Sequence, residues 1–144
     1  MAQSPARSSV PSTDHPLAGA AKSWLDAFQE CVRSRDYGRA RTLFDSGIVS
    51  YGTQVNSAEI SIDDIEREQW REVWPRIRDF TYRQDEARVY GNEHCLCVLT
   101  PWDSTAMHVD GATTDRTGRT TFIIEQRDGR WVCVHFHSSL TRRP

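Results

Sequence analysis

Two residue pairs in this sequence have the types and the spacing of metal ligands. Cys95 and Cys97 lie two residues apart, as do His135 and His137, so each pair shares one face of a β-strand. Thiolates and imidazoles at about 2.0–2.3 Å are the ligands that Zn²⁺ prefers. A further strand, 120–126, is expected between the two pairs and would separate them by about 9.6 Å. One tetrahedral ion cannot bridge that distance, so we expect no metal site.

Histidine and tyrosine side chains offer a second kind of chemistry, acid–base catalysis without a metal. An imidazole titrates near neutral pH, so His108, or His135 with His137, could transfer a proton. The phenol of Tyr51 could polarise a substrate carbonyl as an oxyanion-hole donor. Each has a structural alternative: His108 as a rim residue, the other two histidines as an interface pair, and Tyr51 as a core residue whose hydroxyl bonds to the backbone.

Arg119, just before a predicted strand, is a candidate for binding a ligand carboxylate. Its structural alternative is an ion pair with Asp115 or Asp103. The sequence has no Ser-His-Asp set, no phosphate-binding loop and no dinucleotide fingerprint. We therefore expect no cofactor.

The overall composition narrows the class of partner. The chain has 144 residues, which fits one domain, and a net charge of -2. That charge gives no electrostatic reason to expect nucleic acid or an anionic membrane surface as a partner. No stretch approaches the roughly 20 apolar residues of a membrane helix. Five Trp, five Phe and four Tyr instead predict an aromatic-walled core or pocket.

The first 16 residues are rich in Ser, Pro, Thr and Ala, and are expected to form a disordered tail before one domain over 17–141. No apolar run follows Arg7, so the tail does not resemble a secretory signal, and a cytoplasmic location is the default. None of the four cysteines forms a C-x-x-C pair, and we expect free thiols.

Helices that position these residues are predicted from apolar spacing. A stripe that recurs every three or four residues predicts a helix over 17–33. A second, short helix runs from the N-cap Asp36 to Phe44. A third begins near Ser61, which has capping-box spacing to Asp64.

Strands dominate the rest of the chain. A short strand, 48–52, precedes the third helix, and from residue 80 the apolar period changes to two. This period predicts strands at 80–90, 95–102, 120–126 and 131–138. An Asp-Gly signal predicts a tight turn at 127–130, and 110–118 is expected to be a longer connection. Helices and strands that are segregated in this way predict an α+β fold.

Two phrases of the sequence resemble the SnoaL-like branch of the nuclear-transport-factor-2-like superfamily. They are residues 68–75 (EQWREVWP) followed by 78–80 (RDF), and the ending 127–139 (RDGRWVCVHFHSS). The ending also resembles the last hairpin of the association domain of calcium/calmodulin-dependent kinase II. The resemblance implies a cone-shaped roll, with three N-terminal helices packed in a strongly curved, mainly antiparallel sheet around a pocket. It does not specify a function, because the superfamily includes isomerases, cyclases, dehydratases and inert oligomerisation domains.

The resemblance also implies which side chains point into the cone. It places Ser138 inside, and strand alternation extends this phase to the neighbouring strands. The expected ligand-binding wall consists of Trp70, Trp74, Trp102, Phe122 and Phe136. His108 follows on the same alternation and is expected inside, near the mouth. The kinase association domain has basic residues at the positions that match Trp102, Phe122 and Ser138, so an acidic-ligand pocket of that kind is not expected here.

The outer face of the sheet is then too apolar to lie comfortably in water. We expect a homodimer partner to cover it, with interface residues Cys97, Ile123, Cys133, His135 and His137. An error of one residue in strand phase would turn the two histidines into the pocket, so either location stays open.

Two functions fit these expectations. The first is a small-molecule pocket protein. If it is an enzyme, a cofactor-free isomerisation, cyclisation or dehydration of an apolar carbonyl compound fits best, with His108 as the acid–base group and Tyr51 as the polarising donor. No carboxylate is predicted to face the cavity, which argues against steroid-isomerase chemistry with an Asp base. The second is a non-catalytic ligand-binding or dimerisation module. A cavity of about 300 Å³ or more would indicate an enzyme or a ligand binder, whereas a cavity filled by its own aromatic side chains would indicate an assembly module.

Overall fold

The described part of the chain comprises residues 10–11, 14–54 and 56–142 in this computed structural model. The predicted disordered tail, 1–16, falls largely outside those residues. Within it, Val10–Pro11 (β1) pair antiparallel with Val89 and Arg88.

Three helical segments follow, counted over the described residues. α1 spans Ala18–Ser34 and α2 spans Tyr37–Arg41. The third, α3, is α-helical at Ile62–Ile65, passes through a π-helical turn at Glu66–Trp70 and an α-helical turn at Arg71–Val73, and ends in a 3-10 turn at Trp74–Arg76. Both predicted caps are present. The Asp36 carboxylate accepts from the Arg39 N–H at 3.0 Å, and the Ser61 hydroxyl accepts from the Asp64 N–H at 3.1 Å.

The strands of the described residues form one sheet in the order β1-β4-β5-β6-β7-β2, with β3 paired to the second half of β5. Among the described strands β2 and β7 run parallel, and the other pairs are antiparallel. The predicted α+β fold with a curved, mainly antiparallel sheet is confirmed. The bounds are β2 Phe44–Tyr51, β3 Ile77–Tyr82, β4 Arg88–Gly91, β5 Cys95–Met107, β6 Thr113–Arg127 and β7 Arg130–Leu140.

The apolar stripe of α1 packs against the inner face of the sheet. Trp24 and Phe28 are buried, and the Trp24 ring centroid lies 4.8 Å from that of Phe122 on β6. Phe28 also lies 5.0 Å from Phe44 on β2. Each such aromatic side chain contributes about 1.5–3 kcal/mol by leaving water. Because α1 closes one side of the cone, this packing positions the cavity wall as well.

The predicted strand 80–90 is two strands, which is a correction. β3 ends where Tyr82 pairs with Trp102, and β4 resumes where Arg88 pairs with Leu99. The five residues between them, 83–87, include a 3-10 turn at Gln84–Glu86 and lie opposite only residues 100 and 101 of β5. The Pro101 carbonyl accepts from the Arg83 N–H at 2.9 Å, but proline has no N–H to continue the ladder. The chain therefore bulges out at this point.

The predicted loop 110–118 is also wrong, because β6 begins at Thr113. Its first half pairs with β5 down to Met107, so the connection is a short hairpin loop. Gly118 is needed in this half, since a Cβ there would collide with the Trp102 indole and the Ser139 carbonyl. The prediction failed because β6 is polar on both faces here, which removes the apolar alternation that marks a strand.

A β-bulge in β7 changes which side chains face the core. Ile123 pairs with His135, but the next residue, Ile124, pairs with Cys133, so Val134 is an extra residue. From His135 onward, the side chains of β7 point to the predicted faces of the sheet. Before the bulge, at residues 131–133, each side chain points to the face opposite to the predicted one. The tight turn after β6 is as predicted, with positive φ at Asp128 and Gly129.

Candidate functional site

A cavity of about 60 Å³ lies inside the cone, between the helices and the inner face of the sheet. All five residues predicted as its aromatic wall do line it, and Phe28, Phe80 and Tyr82 extend that wall. Their position is established, and their part in ligand binding stays a prediction. The volume is far below the roughly 300 Å³ of typical ligand pockets.

The cavity is small because its rings pack on one another. Trp70 and Trp74 are stacked at 4.9 Å, and Trp74 stacks in turn on Tyr37 at 5.1 Å. The Arg71 guanidinium lies 4.2 Å from the centroid of the Tyr37 ring. These stacking and cation–π contacts stabilise the positions of Trp70 and Trp74 in the cavity wall.

One side of the cavity is polar, and Arg116 on β6 lies there. Its Nη2 donates to Thr53 Oγ1 at 2.9 Å, and its guanidinium carbon lies 5.0 Å from the centroid of the Trp102 ring. Gln69 Nε2 donates to the same Thr53 oxygen at 2.8 Å, while Gln69 Oε1 accepts from the Gln54 N–H at 3.1 Å. Desolvation lowers the pKa of Arg116, yet a guanidinium stays charged in proteins. The cavity therefore has a positively charged corner.

Two hydroxyls form a second polar group on the inner face of the sheet. Trp102 Nε1 donates to Thr120 Oγ1 at 3.0 Å, and Thr120 Oγ1 lies 2.6 Å from Ser138 Oγ. Thr120 and Ser138 both line the cavity. These hydrogen bonds fix the orientation of the Trp102 ring, which makes the cation–π contact with Arg116.

His108 does not line the inner cavity. It is exposed and lies in an outer vestibule of about 170 Å³, which shares Val73, Ile77 and Arg116 with the inner cavity. Its Nε2 lies 2.8 Å from the Thr114 hydroxyl. His108 lies near the mouth of the cone, as predicted. Because β5 ends at Met107, however, strand alternation no longer directs the His108 side chain into the cavity. It is thus a rim residue, and an acid–base role stays a prediction.

Tyr51 points away from the cavity, which corrects its predicted position. Its side chain is 47% exposed on the outer face, with ring centroids 5.3 Å from His137 and 6.0 Å from His135. β2 runs parallel to β7 with Tyr51 beside His137, and laterally paired residues share a face. The adjacent Ser50 is the residue that faces inward.

Arg119 also lies on the outer face, so its predicted place in the pocket is wrong. It is exposed, its Nε donates to Ser139 Oγ at 3.1 Å, and it borders a shallow groove with Arg88 and Leu99. Of its two predicted ion-pair partners, Asp103 pairs with Arg83 at 3.3 Å. Arg119 is three residues from Arg116, and an odd spacing puts the two side chains on opposite faces.

Four of the five predicted interface residues lie on the outer face: Cys97, Ile123, His135 and His137. The His135 Nδ1 donates to the Val49 carbonyl at 2.6 Å. Cys133 is the exception and a correction, because the β7 bulge turns it into the core, where it is fully buried. Neither histidine lines the cavity.

The Glu59 carboxyl group is buried close to the site. Glu59 forms an antiparallel bridge with Ser50, with both N–H to O distances at 2.9 Å, and its side chain is 1% exposed. The Ser50 hydroxyl and the Gly52 backbone are near enough to lower the pKa of this carboxyl group slightly, but no hydrogen bond of full geometry reaches either carboxyl oxygen or the Ser50 hydroxyl. Desolvation, followed by the negative charges of Glu68 and Asp64, raises the pKa of Glu59 to about 7.

The chemistry open to the inner cavity follows from its titratable groups. Among the described residues that line it, these are Tyr82 and Arg116, with no carboxylate or imidazole. Burial raises the pKa of Tyr82 well above its usual value. Neither group accepts a proton readily near neutral pH, so the lining suits binding better than proton abstraction.

Neither a metal cluster nor a membrane-spanning helix is found in the described ranges. No three His, Cys, Asp or Glu residues there are grouped to hold a metal ion. Strand β6 separates Cys95 and Cys97 on β5 from His135 and His137 on β7, as expected. No helix of that part is long and apolar enough to cross a membrane.

Arg116 and Glu59 are the two groups that the sequence analysis missed. Arg116 could have been identified, because every second residue from Phe122 through Thr120 and Gly118 faces inward and the next one is Arg116. It was not, because residues 110–118 were predicted to be a loop, in which strand alternation does not apply. For Glu59 no local signal exists, because its burial depends on the bridge to β2.

The helices inside a curved sheet and the aromatic cavity define an α+β cone domain of the nuclear-transport-factor-2-like class. The SnoaL-like domain family matches residues 21–143, and the chain belongs to that family. No curated protein matches the sequence significantly.

Solved structures with the same fold come from several bacteria. A candidate calcium/calmodulin-dependent protein kinase II association domain from Xanthomonas campestris is 18% identical, with 99% of this chain and 100% of that chain covered and a TM-score of 0.76. A ketosteroid isomerase-like protein from Erwinia carotovora atroseptica is 12% identical, with 90% and 99% covered and a TM-score of 0.72. A nuclear transport factor 2-like superfamily protein from Salmonella enterica is 16% identical, with 85% and 89% covered and a TM-score of 0.70. At these identities the likeness establishes the fold alone.

Proposed function

We propose that this protein is a small-molecule-binding SnoaL-like domain that holds a small, largely apolar compound in the inner cavity. The observation that carries the proposal is the form of the cavity, an aromatic wall with polar groups gathered on one side. Such a combination gives apolar binding energy and a fixed orientation. A compound with one polar group, such as a carbonyl, fits this arrangement.

Catalysis on an apolar carbonyl compound is the less supported extension. A relative is named ketosteroid isomerase-like, but no described lining residue of the inner cavity is a carboxylate or an imidazole. His108 would act only on a ligand that reaches the vestibule. Tyr51, on the outer face, has no part in it.

A matched pair of variants tests ligand binding. Ser138 lines the cavity and Ser139 lies on the other face of the same strand. Ser138→Leu should fill the cavity, while Ser139→Leu should leave it open. We expect native mass spectrometry to find retained ligand, or small ketones to raise the unfolding midpoint, in the wild type and Ser139→Leu but not in Ser138→Leu.

Circular dichroism of both variants controls for the fold. Binding inside the cone is contradicted if no ligand is retained and no ketone raises the midpoint of the wild type. It is equally contradicted if Ser138→Leu responds as the wild type does.

Assembly is a second candidate function, and the volume of about 60 Å³ favours it. The outer face carries apolar and aromatic side chains that no described helix covers, including Val49 at 42% exposure and Tyr51 at 47%. A relative is named as an association domain. A dimer through this face, with an empty cavity in the test above, would make assembly the function.

A further inference from the structure

We infer that the ligand of the inner cavity carries a single carboxylate and that Arg116 is the residue that binds it. This inference rests on the proposed function, because it names the ligand class of the same cavity. It goes beyond an apolar carbonyl compound by giving the ligand a negative charge. It also reverses the expectation that the cavity takes no acidic ligand, because Arg116 supplies a cation from a position other than Trp102, Phe122 and Ser138.

Arg116 is placed to meet a ligand. Arg116 lines both the inner cavity and the vestibule, together with Val73 and Ile77, so its guanidinium lies at the boundary between the two. The guanidinium rests on the Trp102 ring and donates to Thr53, which fixes its orientation.

No carboxylate of the described residues forms an ion pair with Arg116. Seven other arginines of the described ranges pair with a carboxylate within 4 Å, and Arg116 is in none of these pairs. Its surroundings are aromatic and largely withdrawn from water, as the lowered pKa of the group indicates. A desolvated cation without a counter-ion is costly, and an anionic ligand would remove that cost.

The Thr53 hydroxyl, next to Arg116, is able to donate a hydrogen bond to a ligand. Thr53 Oγ1 already accepts from Arg116 and from Gln69, so its own hydroxyl hydrogen points elsewhere. The Gln69 oxygen is occupied by the Gln54 N–H. A guanidinium fork beside a hydroxyl donor matches the two oxygens of a carboxylate.

The rest of the cavity limits the ligand's size and charge. An aromatic wall around about 60 Å³ accepts a short apolar chain, and Arg116 is the one cation among the described residues that line it. A dianion such as phosphate would keep one charge unpaired among the rings. The best match is therefore a short monocarboxylate whose apolar part lies against Trp70 and Trp74.

Butanoate and butanamide are suitable probes because they have nearly the same shape and differ in charge. The full chain is titrated with each at constant ionic strength, and binding is followed by tryptophan fluorescence, since Trp70, Trp74 and Trp102 line the cavity. We expect butanoate to bind at least about tenfold more tightly than butanamide, the usual effect of a hydrogen bond to a charged group.

Three arginine variants test whether Arg116 causes the preference for butanoate over butanamide. Arg116→Gln should lose the preference for butanoate, and Arg116→Lys, which keeps the charge but not the fork, should retain part of it. Arg119→Gln is the matched control, because Arg119 lies on the same strand and the opposite face. It should bind as the wild type does.

The outcomes separate the two proposals. If butanamide binds and butanoate does not bind more tightly, the carboxylate inference is overturned and the proposed function stands. If neither probe nor any ketone binds, both are overturned. A loss of the preference in Arg119→Gln equal to that in Arg116→Gln overturns the assignment to Arg116.

Discussion

At the residue scale, Glu59 couples the stability of the fold to pH. An isolated carboxyl group titrates near 4.5, whereas the buried Glu59 has a pKa of about 7. Between pH 4.5 and pH 7, therefore, Glu59 is protonated in the folded state and ionised in the unfolded state. Stability is then highest below about pH 4.5 for this group, and it falls as the pH rises toward 7.

Glu59→Gln should remove this dependence, because an amide cannot ionise. We expect the wild type to lose up to about 3 kcal/mol of unfolding free energy between pH 4.5 and 7.5, and Glu59→Gln to lose much less. Urea unfolding at several pH values measures this. Glu93→Gln is the control, since Glu93 is exposed and its removal should leave the wild-type slope. A wild-type slope in Glu59→Gln would refute the coupling.

At the element scale, the bulge in β7 decides which residues of that strand belong to the core. Without it, Cys133 would share the outer face with His135. With it, Cys133 is fully buried, its Sγ lies 3.2 Å from the His135 carbonyl, and burial raises the pKa of its thiol. A buried thiol of raised pKa is inert, because the thiolate is the reactive form.

Thiol labelling tests the bulge directly. In variants that keep one cysteine, we expect Cys95, which is exposed, to react with an aromatic disulfide reagent in the folded protein. Cys133 should react only in denaturant. A variant that keeps Cys31, buried on α1, serves as the control for a core thiol. Equal rates for Cys133 and Cys95 in the folded state would mean that the strand has no bulge.

At the scale of the whole molecule, the outer face of the sheet is the proposed dimer interface. It combines Ile123 at its centre with His135, His137, Val49 and Tyr51 at the β7–β2 edge. All the described helices lie on the other side of the sheet. An apolar face of this kind is stable in water when a second copy covers it.

Ile123→Glu should convert a dimer to a monomer, because it places a charge at the centre of that face. Ile60→Glu is the matched control, since Ile60 is 67% exposed and lies outside the sheet. Analytical ultracentrifugation of the wild type and both variants distinguishes the cases. A monomeric wild type, or a dimeric Ile123→Glu, would be incompatible with this interface.

Much of the fold follows from the sequence. Apolar periods of 3.6 and 2 predict α1 and most of the sheet, capping residues mark the starts of α2 and α3, and the Asp-Gly turn marks the last hairpin. The same alternation puts Trp102, Phe122 and Phe136 on one face of well-patterned strands, and the resemblance to the family implies that this face is the inner one. These signals are local, so each survives without knowledge of the rest of the chain.

Only the tertiary structure decides the features that depend on pairing between strands. The bulge that buries Cys133 is a register shift between β6 and β7, and the parallel register with β7 turns Tyr51 outward. Arg116 faces the cavity because a polar segment pairs with β5, where no apolar pattern marks a strand. The cavity volume depends on how the rings stack across α1, α3 and the sheet. Register and ring packing are sums of many long-range contacts, and a local pattern does not specify them.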